Sequence, residues 1–186
     1  VAQHKGIFLA GWAEAPGDLL LSAQLFPHLD VASGGTLAAS VHAAPTAGST
    51  VSERLLAATI AGARQRLYIS NAYFVPDDDF RRLLIAAARR GADVRVLTAG
   101  DHIDTKLTGY ASHARYEELL AGGVRLYEYA PSMMHAKTMV VDGVWSIVGS
   151  MNFDNRSFAL NDESVLVAHD GALVAHLERI FADHLS

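Results

Sequence analysis

The feature that most constrains the fold is a turn signal, Asp142-Gly143, with apolar residues on both sides of it. Apolar residues run up to this dipeptide and resume directly after it at Val144 and Trp145. This pattern predicts two antiparallel strands joined by a two-residue hairpin turn. With Asp142 and Gly143 in the turn, Val141 is expected to face Val144.

Counting outward from this turn brings several polar side chains to one face of the hairpin, because side chains alternate faces along a strand. Lys137 is expected opposite Val148, and His135 opposite Ser150. Five residues are therefore expected to share one face: His135, Lys137, Val148, Ser150 and Asn152. The other face is expected to carry Thr138 and Val140.

The residue types on the first face suit one kind of chemistry. An imidazole can attack phosphorus or pass a proton, while an ammonium, a hydroxyl and a carboxamide can hold phosphoryl oxygens. No pair of carboxylates is placed to bind a metal, so fixed donors such as Lys137 and Asn152 would stabilise the charge that a divalent ion stabilises in kinases. The pattern predicts phosphodiester chemistry without a metal or any other cofactor.

The spacing His135-x-Lys137-x4-Asp142-x6-Gly149-Ser150-x-Asn152 resembles the HKD signature of the phospholipase D superfamily. The stretch that follows, from Asn152 to Glu163, is similar to bacterial cardiolipin synthases in particular. The resemblance implies a histidine nucleophile that forms a phosphohistidine, and a downstream carboxylate that orients a motif histidine. Such a carboxylate would select the tautomer whose other ring nitrogen is free to attack.

The resemblance places site residues on this sequence one by one. The expected catalytic residues are His135, Lys137, Asp142 and Glu163, and the expected phosphate-binding residues are Lys137, Ser150 and Asn152; none is expected to bind a metal. Asp142 has a competing interpretation, because its position in a turn explains it by turn chemistry alone. Its odd offset from Lys137 also directs it away from the phosphate.

Composition limits the remaining choices. The chain has 186 residues, of which 51% are hydrophobic, which suffices for one well-packed domain of ordinary size. It has no cysteine, which excludes disulfides and thiolate metal sites. The net charge of -5 argues against a broad nucleic-acid surface, although it does not exclude a local basic cleft. Its apolar stretches are shorter than the roughly 18 residues that span a bilayer.

The chain is expected to hold one complete structural unit, preceded by the end of another. It starts at Val1 without an initiator methionine or a leader, so we expect a segment excised from a longer protein. A short helix over residues 4 to 15, with Phe8 and Trp12 on it, resembles the helix that closes the first of two HKD halves in the family. Residues 1–35 are thus expected to be the tail of that half plus a linker, and residues 36–186 the C-terminal phospholipase D-like domain.

Strands and helices are predicted to alternate before the hairpin, in the order βαβαβ. A capping box at Thr50 to Glu53 opens one helix, and Pro76-Asp77 opens another that ends at Gly91 and directs Phe80, Leu84 and their helical neighbours into a core. The remaining elements are predicted as strands near 36–41, 67–74, 94–97, 124–127 and 165–167, and as helices near 104–121 and 172–185. The expected fold is an α/β class, α-β-α sandwich with a mixed, largely parallel sheet and a catalytic β-hairpin.

Two other stretches have competing interpretations. Asp101-His102-Ile103-Asp104 follows a predicted parallel strand, where ligands often bind, but such short clusters are more often solvated loops than metal sites. Tyr127, Met133 and Met134 lead into the motif and could contact an acyl chain. Core packing is favoured for Tyr127, whereas the two methionines are balanced between the two roles.

The predicted function is a cardiolipin synthase-type phosphatidyltransferase that acts on phospholipid phosphodiesters, with phosphatidylglycerol as the expected substrate. A phospholipase D or a phosphodiesterase or nuclease with the same chemistry is the alternative, and a non-catalytic pairing half is an alternative of another class. Whether His135 is the nucleophile or the leaving-group acid stays open. The expected partners are a second HKD half, from upstream sequence or a homodimer partner, and a membrane surface, but no nucleic acid. The whole protein is expected at the bacterial membrane, and this segment itself is expected to be soluble.

Overall fold

The computed structural model describes residues 2–15, 34–43, 51–100 and 116–185. Seven strands form one sheet: β1 Leu37–Ala43, β2 Arg66–Asn71, β3 Asp93–Ala99, β4 Arg125–Tyr129, β5 Lys137–Val141, β6 Trp145–Gly149 and β7 Glu163–His169. The helices are α1 Ala2–Glu14, α2 Val51–Gly62, α3 Asp78–Arg89, α4 (described over 116–121), α5 Asn155–Ala159 and α6 Gly171–Asp183. Most predicted elements are therefore present, with bounds shifted by a few residues.

The sheet has the strand order β1-β7-β6-β5-β2-β3-β4. The pairs β2–β3 and β3–β4 are parallel, as expected from strands that alternate with helices. The other four pairs are antiparallel. The mixed sheet is thus confirmed, but the prediction that it is largely parallel was wrong. The physical reason is that the hairpin β5–β6 pairs directly with β2, which leaves β1 to pair with β7 at the far edge.

Helices cover both faces of the sheet, which confirms the sandwich. The larger core lies under α2 and α3 and includes Leu56, Ile60, Phe80 and Leu84 from these helices. On the opposite face, α6 packs over β2, β5 and β6, and its Phe181 stacks on Tyr68 with ring centroids 5.1 Å apart. The helix α1 lies beside β1, where the Gln3 side chain accepts a hydrogen bond from the backbone N–H of Ser40 at 3.2 Å.

Helix α3 shows how closely local signals can predict an element. The side chain of Asp77 caps its first turn by accepting from the backbone N–H of Phe80 at 2.9 Å. Phe80, Leu84 and Ala87 are buried, as their helical spacing predicts. Gly91 lies just beyond the helix with a φ of +98°, the left-handed conformation that favours glycine.

The ends of four strands meet at one edge of the sheet, and most predicted site residues of the hairpin lie near them. The carboxyl ends of β2 and β6 lie there beside the amino ends of β5 and β7, as the pairings Asn71 with Lys137 and Gly149 with Val165 show.

No helix within the described ranges is long and apolar enough to cross a membrane. Residues 16–33 of the predicted tail and linker, the capping residue Thr50, the loop Asp101-His102-Ile103-Asp104 and the first part of the helix predicted near 104–121 lie outside the described residues.

Candidate active site

The turn of the hairpin forms where its sequence predicts. Asp142 and Gly143 have φ values of +51° and +78°, so both adopt the left-handed conformation that a type I′ turn requires. The pairing is nevertheless Val141 with Trp145, so Val144 is an extra residue in the loop. The predicted pairing of Val141 with Val144 was wrong.

The extra loop residue changes which side chains share a face, because a shift of one residue moves a strand's side chains to the other face relative to its partner. Thr138 pairs with Val148, so Val148 lies on the Thr138 face and not on the face of Lys137, as was expected. Lys137 shares its face with Met139 and therefore with Ile147, which pairs with Met139. The shared face predicted for Lys137 and Val148 was thus also wrong.

Ser150 is held by β7 rather than by the facing strand of the hairpin. Its backbone N–H donates to the carbonyl oxygen of Ser164 at 3.0 Å, and its hydroxyl oxygen accepts from the N–H of Ser164 at 3.0 Å. The preceding Gly149 allows this close approach, because a Cβ there would lie 2.3 Å from the Ser164 carbonyl oxygen. The Gly149-Ser150 pair of the motif is therefore explained by the packing of β6 on β7.

The segment around Asn152 is held by the end of β2. Val75 donates its N–H to the carbonyl oxygen of Phe153 at 2.8 Å. The carboxamide of Asn71 bonds the two residues that flank Asn152, donating to the carbonyl oxygen of Met151 at 3.2 Å and accepting from the N–H of Phe153 at 3.1 Å. Asn71 fell within a strand predicted as apolar, and its polarity at the end of a buried strand was the signal that could have identified it.

Lys137 begins β5 and is only 8% exposed. Its ammonium donates to the carbonyl oxygen of His135 at 3.1 Å, and on the neighbouring strand it is in register with Asn71. A cavity near this edge touches Lys137, Asn71 and Gly149, and most of its lining is apolar, from residues such as Leu56, Ile69 and Met139. Because Asn71 bonds Met151 and Phe153, Lys137 pairs with the residue that holds both flanks of Asn152.

His135 is exposed at the sheet edge, two residues before Lys137. Its ring meets the ring of Tyr73 edge-on, with centroids 6.4 Å apart and an angle of 80° between the planes. Tyr73 has no role in the sequence-based prediction, because an aromatic residue after an apolar strand is typical of core. An exposed imidazole with an aromatic neighbour can approach a phosphodiester and still be held in a restricted orientation.

Glu163 begins β7 and is 6% exposed. One carboxylate oxygen accepts from the Ser150 hydroxyl at 2.5 Å, and the other accepts from the Asn161 side-chain amide at 3.2 Å. Among the described residues these two side chains, and not His135, are the hydrogen-bond partners of Glu163. The predicted hydrogen bond from a motif histidine to Glu163 is therefore not made by His135 within the described residues, and the orienting role of Glu163 stays a prediction.

Asp142 lies at the opposite end of β5, about 16 Å from Lys137 along an extended strand. Its carboxylate accepts hydrogen bonds from the backbone N–H groups of Arg64, Gln65 and Arg66 at 2.9, 2.8 and 2.9 Å. Burial by itself raises the pKa of this carboxyl, but these amides and the nearby Arg66 guanidinium outweigh burial and hold the pKa below its ordinary value. The contacts of Asp142 thus join the hairpin turn to the loop between α2 and β2.

The remaining predictions concern metal and acyl contacts. Within the described ranges, no group of three or more histidine, aspartate or glutamate side chains is placed to hold a metal ion. Tyr127 packs against the core cluster of Leu97, Met134 and Phe181, which confirms core packing for Tyr127. Met134 is also buried, whereas Met133 is 40% exposed beside the motif.

The sequence of this chain is similar to those of known proteins. Residues 56–185 match the family model described as "Cardiolipin synthase, PLD-like domain". The chain is 35% identical over its full length to cardiolipin synthase A of Cronobacter sakazakii, and 40% identical over 73% of its length to cardiolipin synthase A of Salmonella arizonae. It spans 39% and 28% of these two relatives, so it is less than half as long as either.

Solved structures agree on the fold. The chain is similar to Nuc, a phospholipase D family member from Salmonella typhimurium, with a TM-score of 0.69 and 22% identity over 81% of this chain and 94% of Nuc. Because the family model covers most of the chain and includes the whole HKD motif, the chain belongs to the PLD-like domain family of cardiolipin synthases.

Proposed function

We propose that this chain is a catalytic domain of a cardiolipin synthase-type phosphatidyltransferase, acting on phospholipid phosphodiesters. The observation that carries the proposal is that His135 and Lys137, at the start of β5, lie at the edge of the sheet where Asn71 bonds the residues on both sides of Asn152 and where Ser150 bonds Glu163. The family and the relatives named cardiolipin synthase A support a lipid phosphodiester as the substrate. The expected donor lipid is phosphatidylglycerol.

The reaction takes place in two displacements. In the first, a motif imidazole nitrogen forms a bond to phosphorus while the bond from phosphorus to the leaving alcohol oxygen breaks, and a second group gives that oxygen a proton. In the second, the group that gave up its proton takes one from an acceptor alcohol, the alcohol oxygen forms a bond to phosphorus, and the bond from phosphorus to the imidazole nitrogen breaks. Lys137 and Asn152 donate to the phosphoryl oxygens as their negative charge grows in each transition state. The single hydroxyl proton of Ser150 goes to Glu163, so the predicted phosphate contact of Ser150 requires that this bond be broken.

The assignment of His135 as nucleophile or as leaving-group acid remains open, because one imidazole cannot readily serve on both sides of an in-line displacement. The 186-residue sequence contains one His-x-Lys pair, at His135. A second motif histidine would therefore come from a preceding HKD half or from a second copy of this chain related by a twofold axis. Glu163 would then orient the histidine of that partner.

The domain organisation proposed from the sequence is compatible with this view. Residues 1–35 would be the tail of a preceding half plus a linker, and residues 36–186 the domain with the motif. On α1, Phe8 and Trp12 are 59% and 41% exposed and their ring centroids lie 5.9 Å apart. An exposed aromatic pair of this kind supports a helix that packs against a further body. The site would work at a membrane surface, where its lipid substrate is found.

The test is to give the intact protein vesicles of phosphatidylglycerol and to follow cardiolipin and free glycerol. We expect both products in equal amounts, and neither from His135→Ala. Phosphatidic acid in place of cardiolipin would indicate a phospholipase D, because water would be the acceptor. Cleavage of a DNA phosphodiester without any lipid product would instead favour the nuclease alternative, and no turnover of either substrate would favour the non-catalytic pairing half.

The need for two histidines has its own test. The 186-residue chain is purified alone, its mass in solution is measured over a range of concentrations, and phosphodiester cleavage is assayed at each. We expect little activity from the monomer and a rise in specific activity where dimers form. Full specific activity from a species shown to be monomeric would contradict the two-histidine proposal.

A further inference from the structure

The carboxyl end of β2 contacts two segments of the candidate active site, which we call its two arms: residues 135–137, which lead into β5, and residues 151–153, which follow β6. On the side of the hairpin, the backbone N–H of Ala72 donates to the carbonyl oxygen of Ala136 at 3.1 Å. Ala136 stands between His135 and Lys137, so this bond fixes the backbone that carries both motif residues. The segment that ends β2 is therefore in position to set the distance between the two arms.

On the other arm, one side chain makes the connection. Asn71 is 3% exposed, and its carboxamide donates to the carbonyl oxygen of Met151 and accepts from the N–H of Phe153. These bonds lie on both sides of Asn152, at residues about 80 positions away in the sequence. An amide that offers one donor and one acceptor at this spacing replaces the ladder bonds that a neighbouring strand would make.

Asn152 depends on this external support. Its carboxamide oxygen is buried and makes no hydrogen bond within the described part of the chain. No hydrogen bond to this oxygen therefore fixes the side chain within the described residues, and the backbone of residues 151–153 sets where the side chain begins. Asn71 also pairs in register with Lys137, so the residue that holds the Asn152 backbone is directly adjacent to the motif lysine.

We propose that Asn71 is a positioning residue for the phosphodiester reaction, which holds Asn152 beside Lys137 so that both can donate to the same phosphoryl group. This inference rests on the proposed function, because it takes Asn152 and Lys137 as the phosphoryl donors. Asn71 itself does not touch the substrate. Its removal lets the segment 151–153 drift, and a displacement of about 1 Å is enough to lower a rate by about a hundredfold.

The first measurement compares Asn71→Ala with a matched control, Ser70→Ala, in the intact protein. Ser70 is the preceding residue on the same strand, is also buried, and points to the opposite face of the sheet. We expect kcat to fall about 10- to 100-fold in Asn71→Ala, with KM within about threefold, because the lost alignment matters most in the transition state. Ser70→Ala should retain the parental kcat. Parental kcat in a folded Asn71→Ala beside an inactive Asn152→Ala would overturn the inference.

A double-mutant cycle separates positioning from general support of the fold. If Asn71 acts through Asn152, the variant Asn71→Ala should lower kcat in the parent but cause no further loss when Asn152 is already alanine. Losses that multiply would show that Asn71 acts independently of Asn152 and would overturn the inference. If Asn71→Ala does not fold, Asn71→Asp serves in the same cycle, because it keeps the volume and the acceptor for Phe153 while losing the donor to Met151.

A binding measurement with inorganic phosphate keeps this inference separate from the lipid reaction. We expect the affinity for phosphate to fall about tenfold in Asn71→Ala and in Asn152→Ala alike, with no further loss in the double variant. Unchanged affinity in Asn71→Ala, when Asn152→Ala binds weakly, would overturn the role of Asn71 alone. Unchanged affinity and activity in Asn152→Ala would overturn the phosphoryl-donor role of Asn152, and with it both the proposed mechanism and this inference.

Discussion

The two ends of strand β5 carry residues of one motif but are built from different kinds of contact. At the amino end, Lys137 lies at the sheet edge beside an exposed His135, and the nearby Glu163 is bonded to other side chains. At the carboxyl end, Asp142 is bonded to three backbone N–H groups of the loop before β2. Adjacency within a motif thus does not imply a shared task.

The two carboxylates make this difference concrete. Glu163 can be altered without breaking a backbone connection, because Ser150 and Asn161 reach it with their side chains. Asp142 cannot, because its partners are amides that would otherwise lose their acceptor, and an unpaired amide costs about 1 to 3 kcal/mol where it is buried. We therefore expect changes at Glu163 to appear in the rate and changes at Asp142 in the stability.

The largest expected effect is at the amino end of β5. His135→Ala should lower turnover in the intact protein by at least about a thousandfold, because no other group at this position can form a bond to phosphorus or protonate the leaving oxygen. The melting temperature should stay the same, since the side chain is exposed. His176→Ala, which removes another exposed histidine on α6, is the control. Parental turnover in His135→Ala would remove the basis of the proposed function.

The second effect distinguishes the two carboxylates by rate. Glu163→Gln should lower kcat about a hundredfold, because a neutral amide no longer stabilises the charged form of the histidine that Glu163 orients. Glu178→Gln is the matched control, since Glu178 lies on α6, away from the site, and forms an ion pair with Arg66 of β2. A parental kcat together with a large loss of stability would show that Glu163 resembles Asp142 and would break the comparison.

The third effect is on stability. Asp142→Asn should lower the free energy of unfolding by about 1 to 2 kcal/mol. The carboxamide has one oxygen, so it cannot accept from the amides that bond both carboxylate oxygens, and the bonds it keeps are to a neutral acceptor. The value of kcat in the folded protein should change by less than about threefold. Asp79→Asn on the surface of α3 should change the free energy of unfolding by less than about 0.5 kcal/mol. A loss of rate with unchanged stability would return Asp142 to the catalytic residues.

The fourth prediction follows from the direction of the Asp142 pKa, which is lowered in the folded protein. A lowered pKa contributes stability above the unfolded value of about 3.9, and that contribution is lost as the pH falls through the folded value. The difference in unfolding free energy between the parent and Asp142→Asn should therefore be constant above about pH 5 and shrink below about pH 4. Urea unfolding of both proteins from pH 7 to pH 3 measures it. A constant difference over this range would contradict the charge-based role.

The smallest expected effect is that of a metal chelator on turnover. If Lys137 and Asn152 supply the charge stabilisation, turnover with EDTA should stay within about twofold of the untreated value. The assay is the same lipid transfer after dialysis against chelator. Complete loss of turnover that magnesium restores would contradict the proposed mechanism and direct attention to Asp101-His102-Ile103-Asp104.

Local chemistry predicted the elements that depend on neighbouring residues. Helix α3 forms where Asp77 caps it and Gly91 follows it, and the hairpin turns at Asp142-Gly143, because these residues make the required backbone conformations favourable by themselves. The HKD spacing likewise identified the family, because the whole motif lies in one continuous stretch of the sequence. The individual roles assigned to the site residues stay predictions for the experiments above.

Only the tertiary structure decided the strand order, the register of the hairpin and the supports of the site. The turn sequence is compatible with a loop of two or three residues, and pairing with β2 and β7 selects the longer one with Val144 in it. The bonds of Asn71 to the flanks of Asn152 join residues about 80 positions apart, and the placement of β1 beside β7 joins residues still further apart. Such contacts arise from packing of the whole sheet, so no local pattern in the sequence could predict them.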